Sequence, residues 1–189
     1  DRVTVDASRA PLPTAPHTGQ DGAMSETLRW GILGPGRIAA NVAKDFGNVN
    51  RGEIVAVGSR AADRASAFVA EFAPGASAHG SYAALLADPE VDAVYIATPH
   101  AQHLAHASAA IAAGKAVLVE KSFTATYDGA QTIVAQAGEA GVFVMEAMWT
   151  RFVPAVVRVR ELIADGAIGE VRAVTADLGV RRDFDPTDR

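Results

Sequence analysis

Residues 28–40 read LRWGILGPGRIAA, an apolar run that breaks at two glycines and then resumes with helical spacing. Gly34, Gly36 and Ala39 stand at the three small positions of a G-x-G-x-x-G/A pattern, in which the chain turns sharply and packs a helix against a strand. The pattern predicts a strand, a tight turn and a helix N-terminus, whose free N–H groups face phosphates. Glycine-rich turns also occur in ordinary loops, so the rest of the chain must supply the context.

Apolar runs and amphipathic helical patterns alternate through the next hundred residues. Further strands are predicted at 53–60, 77–79, 92–98, 116–120 and 142–146. A helix is predicted between Pro99 and Ile111, and another between Thr126 and Glu139. Strands this apolar have no solvent-exposed face, so helices must cover both sides of the sheet. The sequence therefore predicts an α/β fold, a doubly wound parallel sheet of the Rossmann type, over residues 24–147.

The two ends of the chain differ from this region. Residues 1–23 are rich in proline and glycine without periodicity, and we expect a disordered extension with Met24 as the native start. Residues 148–189 hold a predicted helix, 152–164, and a predicted strand, 171–180. Since one strand cannot pair its own backbone, we expect this segment to begin a second, α+β domain for substrate and dimerisation, and the chain to be a fragment.

Composition excludes several classes of partner. The 189 residues are 49% hydrophobic and carry a formal net charge of -5, with no basic stripe for nucleic acid. No apolar run approaches the roughly 20 residues that span a bilayer. Cysteine is absent, which fits a reducing compartment. The composition favours a soluble, cytoplasmic protein.

The cofactor can be predicted from the residues that follow the strands, because ligands of such sheets bind beyond the carboxyl ends of the strands. Gly34, Gly36, Arg37 and Ile38 are predicted to hold a pyrophosphate. An acidic residue at the end of the second strand would bind a ribose 2′-hydroxyl, but Glu53 lies at the wrong end.

Ser59 and Arg60 stand at that strand end and suit a 2′-phosphate, so NADP is favoured over NAD. The alternative is that Arg60 is a solvated loop cation.

Glu120 and Lys121 directly follow another buried strand. A lysine there could move the proton that accompanies hydride transfer. An ion pair between Lys121 and Glu120, or plain exposure of Lys121, explains the pattern equally well.

Three histidines recur at three-residue spacing, and on a helix the first and third diverge, so no metal site is predicted. His100 and His103 are instead expected beside the cofactor. Trp149 lies at the predicted domain junction, where it fits a substrate pocket or simply interdomain core.

Several motifs in one order resemble the Gfo/Idh/MocA oxidoreductase family, especially its dihydrodiol dehydrogenase and NADP-linked D-xylose dehydrogenase branch. They are WGILGPGRIA, VAVGSR, YIATPHAQH, VEKS and MEAMWTRF. The resemblance covers residues 28 to about 180. It implies an N-terminal Rossmann domain, a C-terminal α+β domain that often mediates dimerisation, and hydride transfer between NADP and a secondary alcohol or hemiacetal of a sugar or cyclic diol.

The resemblance also assigns residues. It implies catalytic roles for Lys121, His103 and Tyr95, a substrate pocket that includes Trp149 and Arg172, and further cofactor contacts from Thr98, Pro99, His100, His103, Glu120 and Lys121. The family's proline after the lysine is Ser122 here, which removes a fixed φ angle.

The chain also stops before the D-x-G-x-Y/H segment of the family, so we expect no turnover from it alone. A dinucleotide-binding sugar sensor and an NAD-linked inositol or amino-sugar dehydrogenase are the alternatives.

Overall fold

A single six-stranded parallel sheet forms the centre of the structure, a computed structural model that describes residues 27–177 and 179. The strand order is β3-β2-β1-β4-β5-β6. The strands are β1 Leu28–Leu33, β2 Gly52–Gly58, β3 Ser77–His79, β4 Ala93–Ile96, β5 Ala116–Glu120 and β6 Val144–Ala147. This order, with β1 between β2 and β4, confirms the predicted doubly wound sheet.

Helices connect the strands and cover both faces of the sheet. They are α1 Arg37–Asp45, α2 Ala62–Phe72, α3 Tyr82–Leu86, α4 His103–Ala112 and α5 Tyr127–Ala140; a further helix, α6 Pro154–Ala164, follows the last strand. Helix α5 shows why these segments start and stop where they do: the Thr126 hydroxyl accepts the Gly129 N–H at its N-terminus, and Gly141, with φ 65°, ends it.

Neighbouring residues on each strand point to opposite faces of the sheet, so each strand contributes side chains to two hydrophobic cores. Ile32 on β1 packs with Val57 and Tyr95 under α1 and α2. Leu33, the next residue, belongs to the larger core under α3, α4 and α5, together with Ile133. Burying one such aliphatic side chain contributes about 1.5–3 kcal/mol. The two cores hold the strand ends, and therefore the loops after them, in fixed positions.

Two local predictions need correction. The helix predicted from Pro99 begins as a 3-10 turn, His100–Gln102, and becomes α-helical only at His103. The strand predicted at 171–180 is not formed in its described part: 171–177 and 179 have no regular structure. Its alternating pattern suits a strand, but within the described residues no other strand is available to pair its backbone.

The predicted helix at 152–164 is present as α6, after a 3-10 turn at Trp149–Phe152, and no residue of α6 is buried. The predictions for 1–23, and for the end of the chain from 180 onward, lie outside the described residues.

Candidate functional site

The carboxyl ends of the central strands lie at one level of the sheet. Leu33, the last residue of β1, pairs with Gly58 on one side and with Ile96 on the other. Ile96 in turn pairs with Val119 of β5. The loops after β1, β2, β4 and β5 therefore leave the sheet side by side, with β1 at the point where the strand order reverses. This edge is where ligands of doubly wound sheets bind.

The turn after β1 contains two glycines, and each position suits glycine for a different structural reason. Gly34 has φ +96°, and a Cβ there would lie 2.7 Å from Thr98 Cγ2, so the protein itself requires glycine. At Gly36 a Cβ would meet no protein atom within 4 Å. Gly36 is the N-cap of α1, which has no capping side chain and no acidic residue in its first turn. The free N–H groups and the open space suit the pyrophosphate of a dinucleotide.

Ser59 and Arg60 follow β2 with different exposures. Ser59 is buried, and its hydroxyl accepts the Ala61 N–H over 3.4 Å. Arg60 is exposed, and its charge reaches far enough across the edge to help lower the pKa of His106 on α4. An exposed guanidinium at this strand end can form paired hydrogen bonds to a phosphate.

The segment after β4 carries Thr98 at its base and Pro99 and His100 at its exposed rim. Thr98 is buried; its Oγ1 lies 2.9 Å from His106 Nδ1, and its carbonyl oxygen lies 2.8 Å from His103 Nε2. The pKa of His106 is lowered, chiefly by burial and then by the charges of His103 and Arg60. Two histidines of α4 thus hold this loop from below.

Tyr95 lies inside the core and not at the rim. It is 2% exposed, and its hydroxyl donates to Glu120 Oε1 over 2.8 Å. Burial, and then the neighbouring Glu120 carboxylate, raise the pKa of Tyr95 far above its ordinary value. Tyr95 therefore keeps its proton and fixes the orientation of Glu120.

Lys121 has no ion pair among the residues that the structure describes. The second oxygen of the Glu120 carboxylate, Oε2, accepts the backbone N–H of Lys121 over 3.1 Å, whereas the exposed ammonium group is left unpaired. The sequence left open an ion pair between the two side chains. The structure gives Glu120 a different use, which is to hold the Lys121 backbone.

Two further bonds hold the turn that carries Lys121. The ring of His103 contacts the Ser122 carbonyl oxygen over 2.8 Å, and the Phe123 N–H donates to Glu146 Oε1 over 2.8 Å. The Lys121–Ser122 peptide is cis. Sequence reasoning missed Glu146; the available signal was a single carboxylate in the otherwise apolar strand β6.

Among the described residues, no hydrogen bond or ion pair joins the two predicted substrate residues to this cluster. Trp149 is 66% exposed in the turn after β6. Arg172 lies in the irregular segment beyond α6, where it pairs with Glu170 over 2.7 Å with both side chains exposed. Their predicted role in a common pocket therefore stays a prediction.

A parallel sheet with a glycine turn at its switch point, and a row of polar residues along the same edge, defines a Rossmann-fold nucleotide-binding domain. Residues 28–148 match the sequence model of an oxidoreductase family with an NAD-binding Rossmann fold, GFO_IDH_MocA. The chain belongs to this family.

Relatives of known activity and structure agree with this assignment. The chain is 44% identical over 165 residues to D-xylose 1-dehydrogenase (NADP(+)) of Hypocrea jecorina, a match that covers 82% of this chain and 42% of that protein. It is 41% identical over 155 residues to trans-1,2-dihydrobenzene-1,2-diol dehydrogenase of Mus musculus, with 80% and 46% covered. A 3-ketoreductase from Actinomadura kijaniata, solved with NADP, superposes with a TM-score of 0.70 at 33% identity, over 78% of this chain and 47% of that one.

The chain spans less than half the length of these curated relatives. Among the described residues, no helix has the length and apolar character needed to cross a membrane.

Proposed function

We propose that this chain forms the cofactor-binding part of an oxidoreductase that transfers hydride between NADP and a secondary alcohol or hemiacetal of a sugar or cyclic diol. The proposal is supported by the family, by relatives named as NADP-linked xylose and dihydrodiol dehydrogenases, and by the polar edge of the sheet. Its single strongest support is Lys121: an ammonium with no partner in the part of the chain that the structure describes, on a turn whose backbone is held at three points.

The cofactor-binding residues divide along the edge of the sheet. Gly34, Gly36, Arg37 and Ile38 would hold the pyrophosphate through the free N–H groups of α1. Ser59 and Arg60 would bind the 2′-phosphate. The residues nearest the nicotinamide would be Thr98, Pro99, His100, His103, Glu120 and Lys121.

When bound, the nicotinamide supplies the site that accepts or donates hydride. In the direction of reduction the Lys121 ammonium would donate a proton from Nζ to the oxygen that becomes the substrate hydroxyl, and in the direction of oxidation the neutral Nζ amine would accept that proton. Tyr95 and His103 would contribute as positioning residues, because Tyr95 bonds to Glu120 and His103 bonds to the carbonyl of Ser122.

The substrate and assembly parts of the proposal rest on the segment after β6. Trp149 and Arg172 would line the pocket for a sugar or diol, with residues 148–189 as the start of a substrate and dimerisation domain. The whole protein would form a homodimer or a higher homo-oligomer. A chain without cysteine fits the reducing cytoplasm, where we place it.

A sensor that binds dinucleotide without turnover is the second candidate. Ser122 favours it, because the serine stands where the family has a proline and leaves φ of that residue unfixed. Substituting Lys121 by Ala in the full-length protein separates the two functions. For an enzyme, kcat falls while NADP affinity is kept; a sensor has no turnover to lose.

The cofactor assignment is tested with the chain itself, by fluorescence titration with NADPH and NADH. In the Arg60→Ala variant the Kd for NADPH should rise about tenfold to a hundredfold, because a charge-assisted hydrogen bond worth roughly 1.5–3 kcal/mol is lost. The Kd for NADH should stay unchanged. Arg64→Ala removes an exposed arginine from the first turn of α2 and is the matched control. Equal NADPH affinity in wild type and Arg60→Ala would reject NADP selection by Arg60 and leave the NAD-linked dehydrogenase as the better reading.

A further inference from the structure

His103 connects the two loops that border the proposed nicotinamide site, although its side chain is completely buried. Its Nε2 lies 2.8 Å from the carbonyl oxygen of Thr98, and its Nδ1 lies 2.8 Å from the carbonyl oxygen of Ser122. One ring therefore joins the segment after β4 to the turn that carries Lys121.

Both partners of the ring are carbonyl oxygens, which accept hydrogen bonds and cannot donate them. A neutral imidazole has a single N–H, so its other nitrogen would set a lone pair against a carbonyl lone pair at 2.8 Å. Turning the ring over would bring carbon atoms to the same oxygens. Both hydrogen bonds are made only when both ring nitrogens carry hydrogen, as in the imidazolium cation.

Two carboxylates bond to the backbone on either side of Ser122, the residue whose carbonyl faces the His103 ring. Glu120 accepts the N–H of Lys121 over 3.1 Å, and Glu146 accepts the N–H of Phe123 over 2.8 Å, so the residues on both sides of Ser122 are bonded to negative groups. The two carbonyl dipoles that face the ring favour its positively charged form.

The other titratable side chains around His103 are basic. The ring of His100 lies edge-on to that of His103, with centroids 5.4 Å apart, and the unpaired ammonium of Lys121 is on the neighbouring turn. His106 lies one turn further along α4, and its pKa is lowered by burial and by the charges of His103 and Arg60.

We propose that His103 is a buried imidazolium that acts as a positioning residue, fixing the Lys121 turn against the Thr98 loop through its two N–H groups. The functional part of this inference rests on the role proposed above for Lys121. Loss of one ring proton would free one of the two carbonyls, and the two loops would no longer be joined.

The protonation state can be measured without cofactor or turnover. In the chain labelled with nitrogen-15 in histidine, the His103 ring signals, assigned from their absence in His103→Gln, should show hydrogen on both nitrogens at neutral pH. A ring with one bare nitrogen at neutral pH overturns the proposal, whether or not the protein proves to be an enzyme.

Two variants of the full-length protein separate the two bonds. Asparagine places its N–H₂ group near the position of Nδ1, and glutamine places it near Nε2, so His103→Asn keeps the bond to Ser122 and His103→Gln keeps the bond to Thr98. We expect kcat to fall on the order of tenfold or more in His103→Gln, because the Lys121 turn is released. In His103→Asn the larger effect should be on the KM for NADP.

The matched control is His79→Gln, at a ring that contacts Asp88 Oδ2 over 2.9 Å on the other half of the sheet, and it should move neither constant. Equal losses of kcat and of NADP affinity in the Asn and Gln variants would show a general structural role and would overturn the positioning role. If either variant fails to fold, the ring measurement on the unchanged chain still decides the proposal.

Discussion

Replacing Gly34 by alanine should destabilise the whole domain, and the structure gives the size of the effect. At φ +96° an alanine is strained by roughly 1–2 kcal/mol. Its Cβ would also lie 2.7 Å from Thr98 Cγ2 and 3.2 Å from the Ala97 carbonyl carbon. The Thr98 methyl cannot turn away freely, because Oγ1 on the same carbon is bonded to His106. Overpacking of this kind costs roughly 1–3 kcal/mol, so the free energy of unfolding should fall by about 2–5 kcal/mol.

The measurement is urea unfolding of the chain, followed by circular dichroism. With a slope of roughly 2 kcal/mol per molar urea, the midpoint should fall by at least about 1 M. A loss of this size is a large part of the roughly 5–15 kcal/mol that stabilises a typical domain.

Gly36→Ala is the matched control, since its Cβ would meet nothing within 4 Å. It should cost less than about 1 kcal/mol as a poorer N-cap, yet weaken NADP binding by filling the space that the phosphate approaches. An unchanged midpoint for Gly34→Ala, or equal destabilisation by both substitutions, would refute this account of the turn.

Two further predictions concern hydrogen bonds at the two ends of the sheet. Tyr95→Phe removes the donor to Glu120 Oε1 from a buried position, so unfolding should become easier by about 1–2 kcal/mol and kcat of the full-length protein should fall, both measured against wild type. A variant that keeps wild-type stability and rate would contradict the role given to Tyr95. At the opposite edge, the hydrogen bond from Arg29 and the arginine's charge lower the pKa of Asp92 below 3.8. Its contribution is therefore complete above about pH 4 and is lost as the pH falls through the lowered value. Asp92→Asn should flatten that acid-side decline in urea titrations at stepped pH, and an unchanged slope would show that Asp92 is not responsible.

The sheet could be predicted because each of its strands has a recognisable pattern within its own short stretch of sequence. Runs such as 116–120 are too apolar to lie anywhere but between two layers, and glycines end the helices that follow, as Gly141 does with its positive φ. The predicted order of elements is therefore confirmed. The prediction of a strand at 171–180 was wrong over the described residues, because a strand needs a partner strand for its backbone hydrogen bonds. Whether such a partner is present depends on distant parts of the chain and cannot be inferred from a local pattern.

The supports of the candidate site could not be predicted in the same way. His103 reaches Ser122 across 19 residues, and Phe123 reaches Glu146 across 23. The motifs predicted a role for Lys121 and a place for His103 beside the cofactor, and they could not reveal that His103 is buried and bonded at both nitrogens. Those facts depend on how β4, β5 and β6 lie side by side, which is a property of the assembled sheet.

Along the edge of the sheet, the residues proposed to bind the cofactor phosphates lie apart from those proposed to take part in the reaction. The groups suited to the phosphates follow β1 and β2, whereas Lys121 and the bonds that hold its turn come from α4, β5 and β6. Damage to the second group need not disturb the first, since the two lie on either side of the switch point. A member of this fold could therefore lose turnover and keep its dinucleotide by changing Glu146 alone, whereas His103 also holds the Thr98 loop. In this chain both are present and bonded, which weighs toward an enzyme even though Ser122 replaces the family's proline.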